Sequence, residues 1–212
     1  MKRLILILLT PFFVNANQVD LNIEKWVHTP YKKNQSHSIS SQDNAMLIEV
    51  RGSAGFLATP LSEPSQVREI SIRGAFSGNL DLGGEMQGDS DADDFALRVG
   101  LIYSGERKLS WLQKRLAPKW LQDAFEFAPT DDAGIGRIVF YNFYSDQRLS
   151  GSQRIHPKLD LIEERFIDEI KPNFDYTFSI DGQEDVLGFW ISTDGDDTGS
   201  NFDLTINEFS YE

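Results

Sequence analysis

Apolar and polar residues alternate along most of this chain with a period of two, the spacing that turns one side of a β-strand toward a core. Met46, Ile48 and Val50 alternate with Leu47, Glu49 and Arg51. Ile70, Ile72 and Phe76 alternate with polar or small residues. Phe95, Leu97, Val99, Leu101 and Tyr103 make the longest such run, and Tyr176, Phe178 and Ile180 repeat the pattern. Two segments, 138–144 and 186–191, are apolar at both parities, which predicts central strands covered on both faces. Phe202, Leu204 and Ile206 share one phase while Phe209 and Tyr211 share the other, and a β-bulge near Asn207 or Glu208 reconciles them. Gly, Asp, Asn and Pro punctuate these segments, and the polar stretch 32–44 reads as a loop or ragged edge. Helix is scarce. Ser110 with Gln113 forms a capping box ahead of Trp111, Leu112 and Leu116. Pro118 ends that helix and starts another over 119–125. A third short helical stretch is predicted over 163–168. The pattern predicts an all-β fold, a two-sheet antiparallel β-sandwich of the jelly-roll kind, with a short helical insertion between two strands.

The first residues follow a different rule. Lys2 and Arg3 precede an apolar run over 4–9, then Phe12, Phe13 and Val14, with small Ala16 before Asn17. Basic, then apolar, then small is the order of a secretory signal peptide, and the run is too short to span a bilayer. The expected organisation is a signal peptide over 1–16 and a single β-sandwich domain over 17–212, located in the periplasm or outside a bacterial cell. The chain has no cysteine, which excludes disulfides, thiolate metal sites and a lipid-anchored cysteine. No later stretch is apolar enough for a membrane anchor. With 33 acidic against 20 basic residues, the net charge of −13 argues against nucleic acid as a partner and repels anionic lipid.

Two acidic clusters are the candidate chemistry. Asp89, Asp91, Asp93 and Asp94 precede the Phe95 run, and Asp194, Asp196 and Asp197 follow the segment 186–191. Clustered carboxylates suit a hard cation, and calcium is the cofactor they suggest, through Asp89, Asp91, Asp93, Asp194, Asp196 and Asp197. Asp89, Asp91 and Asp93 copy the start of an EF-hand loop, but Asp94 stands at its glycine turn and Gly100 where its bidentate Glu belongs. Solvated turns, or salt bridges to Arg98 or Arg165, remain open beside a bound metal. Catalytic sets are missing: His28, His37 and His156 are scattered, and residues 52–55 fall one short of a G-x-S-x-G elbow. Of the tryptophans, Trp190 reads as core, while Trp111 and Trp120 on the helical insertion either pack against the sandwich or form a lip facing a sugar ring.

The order of several motifs resembles a known family. G-D-S-D-A-D-D-F-A-L-R-V over 88–99 looks like a longer G-D-D-F-A-x-R-V strand entry, and S-A-G-F-L over 53–57 like the turn before an early strand. Arg165 and Asp168 resemble an R-x-V-x-x-D step, followed by the aromatic Phe174. L-G-F-W-I-S-T-D-G-D-D-T-G over 187–199 resembles an I-x-G-I-A-I-M-x-D-x-D-N-T-G ending. Together they resemble the bacterial exported family catalogued as domain of unknown function 3047, in order from about Trp26 to Tyr211. The resemblance implies a sandwich similar to galactose-binding or lectin-like jelly rolls, and no established activity. It carries over Asp93, Asp94 and Arg98, then Arg165 and Asp168, then Asp194, Asp196 and Thr198. Asp197 departs from the family's Asn, Asp89 and Asp91 are extra, and the insertion around 111–127 is enlarged. Asp94 and Arg98 share a parity but stand roughly 13 Å apart along a strand, so each needs a partner elsewhere. Arg165 with Asp94, and Arg98 with Asp168 or Asp194, are the expected pairs.

The expectation is a non-catalytic binding module for a carbohydrate or another envelope ligand, with Asp94, Arg98, Arg165, Asp168, Trp111 and Trp120 as ligand-binding candidates. Two alternatives stand beside it. One is an envelope structural or assembly protein with a protein partner. The other is a carboxylate-based glycoside hydrolase or lyase.

Overall fold

The computed structural model of the chain describes residues 16–31, 36–128, 130, 133–156 and 160–212. The expected signal peptide, apart from Ala16, lies outside the described residues. The strands are β1 (Asn17–Gln18), β2 (Val27–Pro30), β3 (Ser38–Gln42), β4 (Ala45–Arg51), β5 (Ala54–Ser65), β6 (Glu69–Asn79) and β7 (Leu97–Gly105). Two helices follow, α1 (Trp111–Leu116) and α2 (Lys119–Phe125). The remaining strands are β8 (Gly134–Tyr144), β9 (Gln153–Ile155), β10 (Ile162–Glu169), β11 (Asn173–Ser179), β12 (Val186–Asp194) and β13 (Asn201–Tyr211). They form a sandwich. One sheet runs β11-β6-β13-β4-β3 with β1 added along β13, and the other runs β2-β5-β12-β7-β8-β10-β9. Their pairings are antiparallel except that of β8 with β10, which is parallel, so the expected antiparallel sandwich is mixed at one place. The chain doubles back after β8 and enters β10 in the same direction, with the short antiparallel β9 closing that edge.

The alternation converts directly into the main core. Met46, Ile48, Val50, Ile70 and Ile72 from one sheet meet Leu97, Val99, Leu101, Phe189 and Ile191 from the other, all essentially inaccessible to water. The expected bulge is present: the register of β13 against β6 shifts between Ile206 and Glu208, which brings Phe209 to the same core as Phe202, Leu204 and Ile206. The stretch 32–44 contains an edge strand. β3 pairs with β4 through a two-residue turn at Asp43 and Asn44, both at positive φ, a conformation those residues tolerate; 32–35 lie outside the described residues.

Two expectations fail. The segment 163–168 is strand, not helix. Ile162, Glu164 and Phe166 are buried on one face of β10, and its charges are ion-pair partners on a pleat, Glu163 with Arg137 and Glu164 with Arg154. Phe95 leaves the alternating run, because β7 begins only at Leu97; its ring joins Tyr144, Leu149 and Phe166 in a small cluster of its own.

The two strands apolar on both faces have two cores to fill. Behind the seven-stranded sheet, Phe56, Ile102, Ile138, Phe140, Leu187 and Trp190 form a second apolar cluster, covered by Trp120, Leu121, Phe125 and Phe127. The helical insertion between β7 and β8 is therefore the lid of a second core. The capping box at Ser110 and Gln113 starts α1 as predicted, and α2 spans the expected residues. α2 is pinned by buried Asp123, which accepts a hydrogen bond from Thr29 Oγ1 at 2.6 Å and pairs with Lys119.

His37, within the stretch read as a loop or ragged edge, is buried and holds the segment before β3 against the sandwich. Its Nε2 donates to the Thr193 carbonyl at 2.9 Å, which leaves Nδ1 to accept from Ser53 Oγ at 2.8 Å. Burial pushes its pKa down to about 4. The unfolded chain binds that proton from about pH 6.5 downward while the folded protein resists until about pH 4. Stability from this group is therefore full above pH 6.5 and is lost as pH falls toward 4, by about 3 kcal/mol at the limit. Urea midpoints between pH 7.5 and 4.5 should show a slope that His37→Gln flattens; an equal slope in the variant would assign it to the carboxylates.

Candidate functional site

Strand register lays out the outer face of the seven-stranded sheet in two rows. Ala58, Trp190, Gly100, Phe140 and Glu164 lie side by side across β5, β12, β7, β8 and β10. The next row is Phe56, Ser192, Arg98, Asn142 and Phe166. Trp190 and Phe140 of the first row and Phe56 of the second make a floor of rings. Trp190 stacks on Phe56 with centroids 3.8 Å apart and meets Phe140 edge-on at 5.6 Å. Gly100 lies between Trp190 and Phe140 in this row, and a Cβ there would stand 2.7 Å from Phe140 and 3.0 Å from Trp190. Trp120 of α2 meets Trp190 edge-on at 6.1 Å, and Tyr31 meets Trp120 at 6.3 Å.

The second row is polar at its centre, where Ser192, Arg98 and Asn142 are buried. Arg98 pairs through Nη1 with Asp194, and through Nη2 with the Asp93 carbonyl at 2.7 Å and Asp93 Oδ1 at 3.2 Å. Its guanidinium lies 4.2 Å from the centre of the Phe95 ring. Burial works against its charge, but Asp194, then Asp93 and Glu164, outweigh it and push its pKa up, so Arg98 stays charged. Glu164 accepts from Arg154 Nε at 2.6 Å and Asn142 Nδ2 at 3.2 Å. Burial alone would raise its pKa; Arg98 and Arg154 hold it below the usual value. Arg154 also reaches Asp93, so the pairs form one network. Among the described residues, Arg98 Nε and Asn142 Oδ1 are buried without a hydrogen-bond partner.

Between this face and α2 opens a groove of about 450 Å³. Trp120, Leu121, Phe140, Trp190 and Tyr31 make its apolar wall, and Arg98, Asp93, Asp194 and Glu164 its charged end. Burial pushes the Tyr31 phenol up, so it stays neutral, and its hydroxyl lies 3.0 Å from Ser192 Oγ. Asp196, Asp197 and His156 complete the rim. Flat rings beside a fixed set of donors and acceptors suit a ligand with an apolar face and hydroxyl edges.

The expected site residues scatter around this groove. Arg98, Asp93, Asp194, Asp196, Asp197 and Trp120 line it. Asp94 lies behind the loop after β12, fully buried, and accepts from Asp197 N, Thr198 N and Thr198 Oγ1 at 2.6–3.2 Å, which closes that loop. Arg165 sits on the other face of β10, beside the Tyr141 hydroxyl and Asp181, and Asp168 pairs with Lys171. Of the pairs read from parity, Arg98 with Asp194 forms, while Asp94 binds loop 197–198 and Arg165 binds Asp181. Trp111 is exposed on α1, away from the groove. Asp89 and Asp91 are exposed on a turn. Among the described residues one group of carboxylates can meet a cation, Asp94, Asp196 and Asp197, with oxygens within 4.8 Å of one another; Asp93 and Asp194 are held by arginines instead. Tyr31, Phe140, Asn142 and Glu164 were missed as site residues. Asn142 had a signal, as the one amide inside an apolar strand; the others read as core or as surface charge.

No family model matches the chain, and no curated protein does. Solved structures similar to it include a family 29 carbohydrate-binding module complexed with mannohexaose, 8% identical, covering 93% of this chain and 92% of that one with a TM-score of 0.40. Another is the family 11 module of a cellulosomal cellulase of Clostridium thermocellum, 10% identical, covering 93% and 94% with a TM-score of 0.44. The family 11 module in complex with a β-1,3-1,4-mixed-linked tetrasaccharide is 9% identical, covering 92% and 94% at the same TM-score.

Proposed function

We propose that this chain is a non-catalytic binding module whose groove beneath α2 takes a carbohydrate. One observation carries this: aromatic rings and buried, ion-paired polar residues lie next to each other on one sheet face, with Arg98, whose Nε has no hydrogen-bond partner among the described residues, lining the groove. A sugar presents an apolar ring face to tryptophan and hydroxyls to such groups. The carboxylates at the charged end support binding over hydrolysis. Asp194, Asp93 and Glu164 are each engaged by arginine, and although burial pushes the Asp194 carboxyl well up, its oxygens are taken by Arg98 and the Phe95 N–H. The opening order of basic, apolar and small residues supports work outside the cytoplasm.

Affinity electrophoresis against soluble glucans, mannans and xylans tests the reading, followed by calorimetry on any binder. Trp120→Ala should weaken binding by about thirtyfold or more, the scale of a buried aromatic anchor, measured well below the variant's own melting temperature because Trp120 also covers the second core. A retained affinity in that variant, or no retardation by any glycan, rejects the groove as a sugar site.

A further inference from the structure

The insertion that covers the groove has an outer side of its own. On α1, Trp111 and Leu116 are each 74% exposed and Leu112 is 55% exposed, and no residue of the helix is buried. These three large apolar side chains stand together on one short, capped helix. Around them the charge reverses. Residues 107–119 carry Arg107, Lys108, Lys114, Arg115 and Lys119 and no acid, in a chain of net charge −13. Arg107 pairs with Asp160 and Lys119 with Asp123. Lys108, Lys114 and Arg115 have no carboxylate partner among the described residues, and Arg115 lies over the Trp111 ring at 6.0 Å. Behind α1 a cleft of about 540 Å³ is lined by Lys108, Leu109, Lys114 and Phe125, with Glu126 the acid among them.

We propose that α1 docks the protein on an anionic phospholipid surface, with Trp111, Leu112 and Leu116 entering the headgroup boundary and Lys108, Lys114 and Arg115 binding phosphates. The chemistry selects this occupant. Tryptophan with leucine on an exposed helix, ringed by long cationic side chains, matches the layered polarity of a bilayer interface. The acidic surface elsewhere does not prevent contact, because fields beyond about 8 Å are screened at physiological salt. None of these six residues lines the groove, so the inference stands apart from any glycan.

Flotation of the whole protein with vesicles tests it. Binding is expected to phosphatidylglycerol-containing vesicles at physiological salt and not to pure phosphatidylcholine, with higher salt weakening it. Each basic residue near such a surface is worth about fivefold, so Lys114→Gln with Arg115→Gln should weaken partitioning by about 25-fold. Trp111→Ser with Leu116→Ser should abolish it, and because these side chains are exposed the melting temperature should hold. No binding to either vesicle overturns the proposal, as does binding that ignores the Trp111 and Leu116 changes. Binding to polyglutamate without binding to vesicles also overturns it and points to an acidic protein instead.

Discussion

Replacing Arg98 by alanine is expected to destabilise the protein by about 3–5 kcal/mol, the cost of leaving a buried charge without its partner. Arg98 is 7% exposed, and it neutralises Asp194, itself 6% exposed, together with Asp93. Asp194 in turn accepts the Phe95 N–H at 2.8 Å, so the pair ties the entry to β7 to the end of β12. In a domain of this size the loss amounts to a fall in melting temperature of roughly 6–20 °C. Lysine should not rescue it, because an ammonium cannot reach Asp194 and the Asp93 carbonyl from one plane. Arg98→Met with Asp194→Asn should recover much of the loss, since the pair itself is worth little beyond its mutual neutralisation. Urea unfolding of the three variants checks this. Equal stabilities for Arg98→Ala and the parent would mean that water solvates Asp194 and that the network is not dry.

Replacing Trp190 by alanine should cost a similar amount, about 3–5 kcal/mol. Its ring is wholly buried among Phe56, Phe140 and Trp120. The second core is small, so an empty space there cannot be filled by shifting neighbours on a paired sheet. The loss should be felt first by α2, which rests on this ring through Trp120. Amide exchange in α2 should rise well before exchange in β12, and Trp190→Phe should fall between the two. Unchanged protection of α2 would show that Asp123 and Thr29 alone hold the insertion down.

Much of the architecture was legible because strand burial is local information. A period of two reports the buried face of β4, β6 and β13 wherever the chain folds, and a change of phase at Ile206 to Phe209 reports a bulge. A capping box reports a helix start because both its partners lie within four residues. The segment 163–168 misled because four of its six residues are charged, and a helix surface and a pleat with ion pairs look alike in one dimension. Phe95 misled because alternation continues through it by coincidence while the backbone bends at Ala96.

The candidate site was half legible for a related reason. Parity showed that Asp94 and Arg98 needed partners on other elements, and it correctly included Asp194 among them. Parity could not choose between Asp194 and Asp168, since it names a face and not a neighbour; strand order decided that by setting β12 beside β7. The chain by itself determined the phase of the main core strands, the start of α1, the two-faced apolarity of β8 and β12, and the acidic balance. Tertiary structure alone decided that the second apolar face meets a helical lid, that Arg98, Asn142 and Glu164 share a floor with Trp190, and that a groove opens between them. Those facts depend on which strands pair across large separations in sequence, and hydrogen-bond register carries that information only once the sheets have formed.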